Sequence, residues 1–166
     1  MAVLALRSTE NTLSIGKLSD NTAQANRTWP AEGGKIRYMH FTVPALAAAN
    51  DVTGTIELCK LPAGRVRVLP TESKIKCSAY GGGATMDFGC RAYVASDGKT
   101  AVAENGTDFV ATKDMSGALV ASPIGVSSMK KDYFSANGIT VFATVRGIAM
   151  PINATLEGWI AYEVIQ

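Results

Sequence analysis

The chain has one histidine, His40, and only three cysteines, Cys59, Cys77 and Cys90, with no Cys-x-x-Cys pair among them. A His-rich zinc site is therefore excluded, and an odd number of widely spaced cysteines does not make a disulfide framework. Free thiols formed in a reducing cytoplasm are the expectation, with Cys77 and Cys90 on the apolar parity of their segments and Cys59 on the polar one. Charge is sparse: 18% of residues are charged, and 16 basic against 14 acidic side chains leave a net +2, too little to mark a nucleic-acid binder. No apolar run is long enough to span a bilayer. The apolar opening MAVLAL is cut by Arg7, so a secretory leader is not expected; the product would stay in the cytoplasm or leave inside a particle.

Catalytic signatures are missing as well. Gly81-Gly82-Gly83 is followed by Ala84-Thr85 without a lysine, and Gly98-Lys99-Thr100 has Tyr93 where a phosphate loop needs its first glycine. His40 stands between Met39 and Phe41 with no nucleophile elbow elsewhere. Its parity groups it with Ile36 and Tyr38, which predicts a half-buried position in a sheet. Asp51, Asp87, Asp97, Glu104, Asp108 and Asp114 are scattered without calcium-loop spacing. These absences predict a non-enzymatic protein with no metal and no cofactor.

What is present is a strand pattern. With 47% hydrophobic residues the chain is long enough for one well-packed domain. Residues 1–35 hold no persistent period, yet Leu4, Leu6, Leu13, Ile15 and Trp29 recur among polar and turn-forming residues. The expectation there is an extended N-terminal arm that gains by burying those side chains on a neighbour.

From 36 to 166 the alternation of apolar and polar residues predicts an antiparallel, jelly-roll-like β-sandwich. Strands are expected at Ile36–Val43, Thr55–Lys60, Arg65–Leu69, Lys74–Tyr80, Ala84–Val94, Ile139–Arg146 and Thr155–Val164. Met86, Phe88, Val141, Val145, Ile160 and Tyr162 are the expected core. Ala95–Asn137 reads as irregular and turn-rich, with a short helix near Lys113–Leu119.

Arg65, Arg67, Lys74 and Lys76 share one parity, and a hairpin through Pro70–Ser73 would put all four on one sheet face. Lys35 to Lys76 carries seven basic and three acidic residues. Such a stripe is either a solvated face or a patch that steers docking onto an acidic protein lattice. No aromatics interleave with it, so specific nucleic-acid binding is not expected.

Asn50–Val68 carries a resemblance. Asn50-Asp51 leads into Ile56-Glu57-Leu58, then Leu61-Pro62-Ala63-Gly64, then Val66-Arg67-Val68. Thr85-Met86-Asp87-Phe88-Gly89 and the closing Thr155–Glu163, with Gly158 and Tyr162, complete the pattern over about Ile36–Ile165. It resembles the head decoration or cement proteins of tailed phages. The departures are Cys90-Arg91-Ala92-Tyr93 in place of an Asp-rich run, and a longer N-terminal arm.

The resemblance implies a homo-oligomeric (dimeric or trimeric) virion protein, assembled in the host cytoplasm and bound outside an icosahedral head. Its partners would be the major capsid protein and neighbouring copies of itself, with no membrane and no specific nucleic acid. The other reading is a carbohydrate-binding jelly-roll module of a head fibre or tail spike, with Trp29, Tyr93, Tyr133 and Trp159 as platform candidates.

Overall fold

The computed structural model describes residues 36–43, 53–125 and 131–165. The arm expected at 1–35, with Leu4, Leu6, Leu13, Ile15 and Trp29, lies outside the described residues. The strands are β1 (Ile36–Val43), β2 (Thr55–Leu61), β3 (Gly64–Val68), β4 (Lys74–Cys77), β5 (Thr85–Cys90) and β6 (Tyr93–Val94). They continue as β7 (Ala101–Val102), β8 (Asn105–Asp114), β9 (Leu119–Pro123), β10 (Lys131–Ser135), β11 (Ile139–Arg146) and β12 (Leu156–Ile165).

One edge of β12 is occupied by β1 from Leu156 to Glu163. Both β3 and β4 must then use the other edge: β3 pairs with Tyr162–Ile165 and β4 with Leu156–Trp159. They form one interrupted row, and the chain steps out of it at Leu69–Ser73. The gap in the ladder is closed by Ser73, whose buried hydroxyl accepts from Ala161 N at 2.9 Å and donates to Leu69 O at 2.9 Å. β10 pairs outside β3, and β9 outside β4, as a second interrupted row.

With β3/β4 and β9/β10 each taken as one row, and the small β6–β7 ribbon set aside, the chain has eight rows. The first sheet takes them in the order 1-8-3-6. The second, β2-β11-β5-β8, takes them as 2-7-4-5. Two interlocked sheets of this order make a jelly roll.

Alternation explains the core. Phe41, Val66, Val68, Ile75, Leu156, Ile160 and Tyr162 of the first sheet meet Met86, Phe88, Val141 and Val145 of the second, and all are buried. The six expected core residues are among them. The turn Leu61–Gly64, where Gly64 takes φ +99°, passes the chain from one sheet to the other.

Three expectations change. The expected hairpin through Pro70–Ser73 is a step within one row, because β12 binds both flanking strands. No helix stands among the described residues near Lys113–Leu119; β8 ends at Asp114 and β9 starts at Leu119. Bulges concealed these strands, since Thr112 at φ +53° and Ala121 at φ +50° each insert a residue and break the period of two. Finally, His40 is exposed, because Met39 and Phe41 take the core side of β1.

The three cysteines are free thiols: Cys77 and Cys90 are buried, and Cys59 packs against the core. Burial pushes the Cys59 thiol up to about 12, and burial followed by the Asp108 charge does the same for Cys90. Thiolate is then scarce at neutral pH. The native protein should react slowly with a thiol reagent, and all three cysteines should react promptly in denaturant. A denatured titration below three would contradict this.

Candidate functional site

The face of the first sheet that points away from the core is the candidate site. Arg65 and Arg67 on β3 lie in register with Ile165 and Glu163 of β12, and Lys74 and Lys76 on β4 with Trp159 and Glu157. All four cations therefore share this face, as their parity predicted.

It is not a bare basic patch. Arg67 Nε donates to Asp132 Oδ1 at 2.6 Å, Arg65 reaches Asp132 Oδ2 at 3.0 Å, and Glu163 stands 4.0 Å from Arg67. Lys76 pairs with Glu157 at 2.7 Å, and Lys74 Nζ donates to Thr71 O at 3.0 Å. Four cations face three carboxylates. Two of these, Glu157 and Glu163, come from β12 and Asp132 from β10, both distant in sequence from the stripe. Long-range steering by net positive charge is correspondingly weak.

The Arg67 hydrogen bond, with Arg65 assisting, holds Asp132 down at about 2 against an ordinary 3.8. A depressed carboxyl contributes stability above its unfolded value and loses it as pH falls toward the folded one. The contribution should be complete above about pH 4 and vanish toward pH 2. Asp132→Asn should flatten that part of an acid-unfolding curve followed by circular dichroism. An unchanged curve would show that the pair contributes nothing.

Aromatic residues occupy the same face, grouped there by strand pairing that their spacing along the chain does not show. Trp159 meets Tyr38 edge-on at 6.3 Å and His40 at 5.9 Å, and its Nε1 donates to Glu72 O at 3.0 Å. Tyr38 is 51% exposed and Phe134, under the Arg65 guanidinium at 4.9 Å, is 45% exposed. Of the expected glycan-platform residues, Trp159 stands on this face, Tyr93 is half-buried elsewhere, and Tyr133 is buried and unavailable to a ligand. Trp29 lies outside the described residues.

A second polar cluster ties the sheets together from within. Asp108 accepts from Lys131 Nζ at 2.8 Å, from Asn105 Nδ2 at 3.2 Å, and from the Tyr133 hydroxyl, with the Cys90 thiol at 3.7 Å. Burial, then the Asp108 hydrogen bond, pushes the Tyr133 phenol upward. Thiol and phenol are thus both held protonated, which suits a structural clasp and not a nucleophile. Among the described residues no three of His, Cys, Asp and Glu converge to hold a metal.

The fold and face together define an eight-row jelly roll carrying an aromatic and ion-paired surface. No protein-family model and no curated protein matches the sequence. Among solved structures, the chain is similar in fold to one from the cyanophage Pam1 capsid asymmetric unit. Identity is 14%, the TM-score 0.56, and the alignment covers 80% of this chain and 86% of that one. Looser overlaps occur with a mutant VP2 protein of infectious bursal disease virus (13% identity, TM-score 0.26) and with the Gx strain of that virus (12%, 0.23). Each covers 80% of this chain but 41% of the other, and at such scores they carry no argument.

Proposed function

We propose that this chain is a structural virion protein, a decoration or cement subunit on the outside of an icosahedral phage head. The observation that carries this reading is the fold-level match to a chain of the Pam1 capsid asymmetric unit across most of both chains. The two coverages imply similar lengths, which suits an accessory subunit of this size. The motif resemblance around Asn50–Val68 points the same way, and its Leu61–Gly64 element is the turn that links the two sheets.

The role requires no chemical step. A subunit that binds neighbouring major capsid proteins stabilises the assembled shell over its separated parts by mass action. Such an interface must bury about 1,200–2,000 Å² to be specific. The exposed aromatics and arginines of the first sheet supply hot-spot side chains, and the segment 1–35 supplies further apolar anchors. Copies of the subunit associate as dimers or trimers at the lattice positions they occupy.

The test is co-sedimentation with heads of the parent phage stripped of the protein. The full chain should bind saturably. A chain lacking residues 1–30 should keep the circular dichroism of the sandwich and bind at least about tenfold more weakly, the equivalent of one 1.4 kcal/mol step. Equal binding of the two would remove the arm from the interface and leave the first-sheet face as the attachment surface. No binding by the full chain would overturn the cement reading.

A further inference from the structure

A concavity of about 230 Å³ crosses all four rows of the first sheet at its β4 end, lined by residues that include His40, Thr42, Lys76, Val120, Glu157 and Trp159. Its shape follows from the β9 bulge. Ile75 pairs with Ser122 and Cys77 with Leu119, so Lys76 faces both Val120 and Ala121. Ala121 takes the left-handed φ of +50°, and Val120 is left 80% exposed as one wall. Non-glycine residues held at positive φ tend to collect at functional sites, because surrounding structure must maintain them.

We propose that this concavity is a saccharide-binding site that takes one pyranose ring against the Trp159 indole. Three observations lead there. The indole is fixed before any ligand arrives, by its hydrogen bond to Glu72 O and its contacts with Tyr38 and His40, so little rotamer entropy is lost on binding. Its negative π-face suits the weakly positive C–H face of a sugar ring.

Beside it, the Lys76–Glu157 pair is 62% and 44% exposed. The ammonium has donors to spare beyond that bond, and the carboxylate has free lone pairs. A hydroxyl-bearing ring can satisfy both signs at once.

That last point favours a sugar over the apolar side chain of a protein partner. A leucine or phenylalanine inserted here would return no hydrogen bond to the ion pair, whereas a ring hydroxyl would. His40 and Thr42 are exposed at the rim and add further polar partners. The inference is independent of the cement role, because it concerns a ligand and not attachment to the head.

The experiment is saturation-transfer NMR and calorimetry of the full chain against a panel of methyl pyranosides and short oligosaccharides. At least one ring should receive saturation through its C–H protons, with a dissociation constant on the order of 1 mM for a single ring. Trp159→Ala should abolish the transfer. Val120→Arg alters only an exposed wall, so it should fold normally and still weaken binding tenfold or more. Glu157→Gln should weaken it several-fold.

Absence of transfer from every sugar overturns the proposal, as does transfer that survives both Trp159→Ala and Val120→Arg. If Val120→Arg instead abolishes head binding while no sugar binds, the concavity receives a capsid side chain and the proposal is likewise wrong. Failure of head binding alone leaves the saccharide result unaffected, so the two readings fail separately.

Discussion

Phe88→Ala should destabilise the protein by about 3–5 kcal/mol, the range for truncating a large buried aromatic. Phe88 is wholly buried at the centre of the second sheet, opposite Ala143 of β11 on one side and Val110 of β8 on the other. Ladder hydrogen bonds hold both neighbouring strands at fixed spacing, so the cavity cannot close by a local shift. A domain of this kind has about 5–15 kcal/mol of total stability, so one substitution removes a large share of it. Urea unfolding should show a lower midpoint at an unchanged slope. A loss below about 1 kcal/mol would mean that Phe88 is not at the core centre.

Asp108→Ala should cost about 2–4 kcal/mol, because it leaves buried or half-buried donors without an acceptor. The Tyr133 hydroxyl is the critical one. Tyr133 belongs to the first sheet and Asp108 to the second, so their bond fastens the sandwich across its layers. Tyr133 also packs edge-on against Phe109 at 6.0 Å and Tyr93 at 6.3 Å, which limits its freedom to find water. A double-mutant cycle with Tyr133→Phe should return a coupling above 0.5 kcal/mol, as expected for side chains in one network. Additive effects would show that the clasp is not a unit.

Asp108 also marks the boundary of what the sequence could reveal. Its carboxylate reads there as one scattered acid among several, since its partners Lys131, Tyr133 and Cys90 lie on other strands. Asp87 is similar: it falls on the polar parity of β5 yet is buried, accepting from Thr112 N at 2.7 Å and Arg146 Nε at 2.9 Å. Regular alternation made β1, β11 and β12 legible almost to the residue. The bulges at Thr112 and Ala121 hid β8 and β9, because one extra residue inverts every side chain beyond it.

The candidate site divides along the same line. That Arg65, Arg67, Lys74 and Lys76 share a face was readable from spacing alone. The carboxylate partners of Arg65, Arg67 and Lys76 were not, nor was the gathering of Tyr38 and His40 around the Trp159 indole. The Glu157 and Glu163 pairings and the aromatic group depend on β12 lying between β1 and the β3/β4 row, and the Asp132 pairing on β10 lying beside β3, topological facts that local pattern does not encode.

The proposed place of this jelly roll on the outer head surface is open to direct test by a cryo-EM map of the parent particle. Density for the eight-row sandwich is expected outside the shell, repeated by the head's symmetry and contacting more than one major capsid protein. Sandwich density confined to the tail, or a complete head map without it, would rule out that placement.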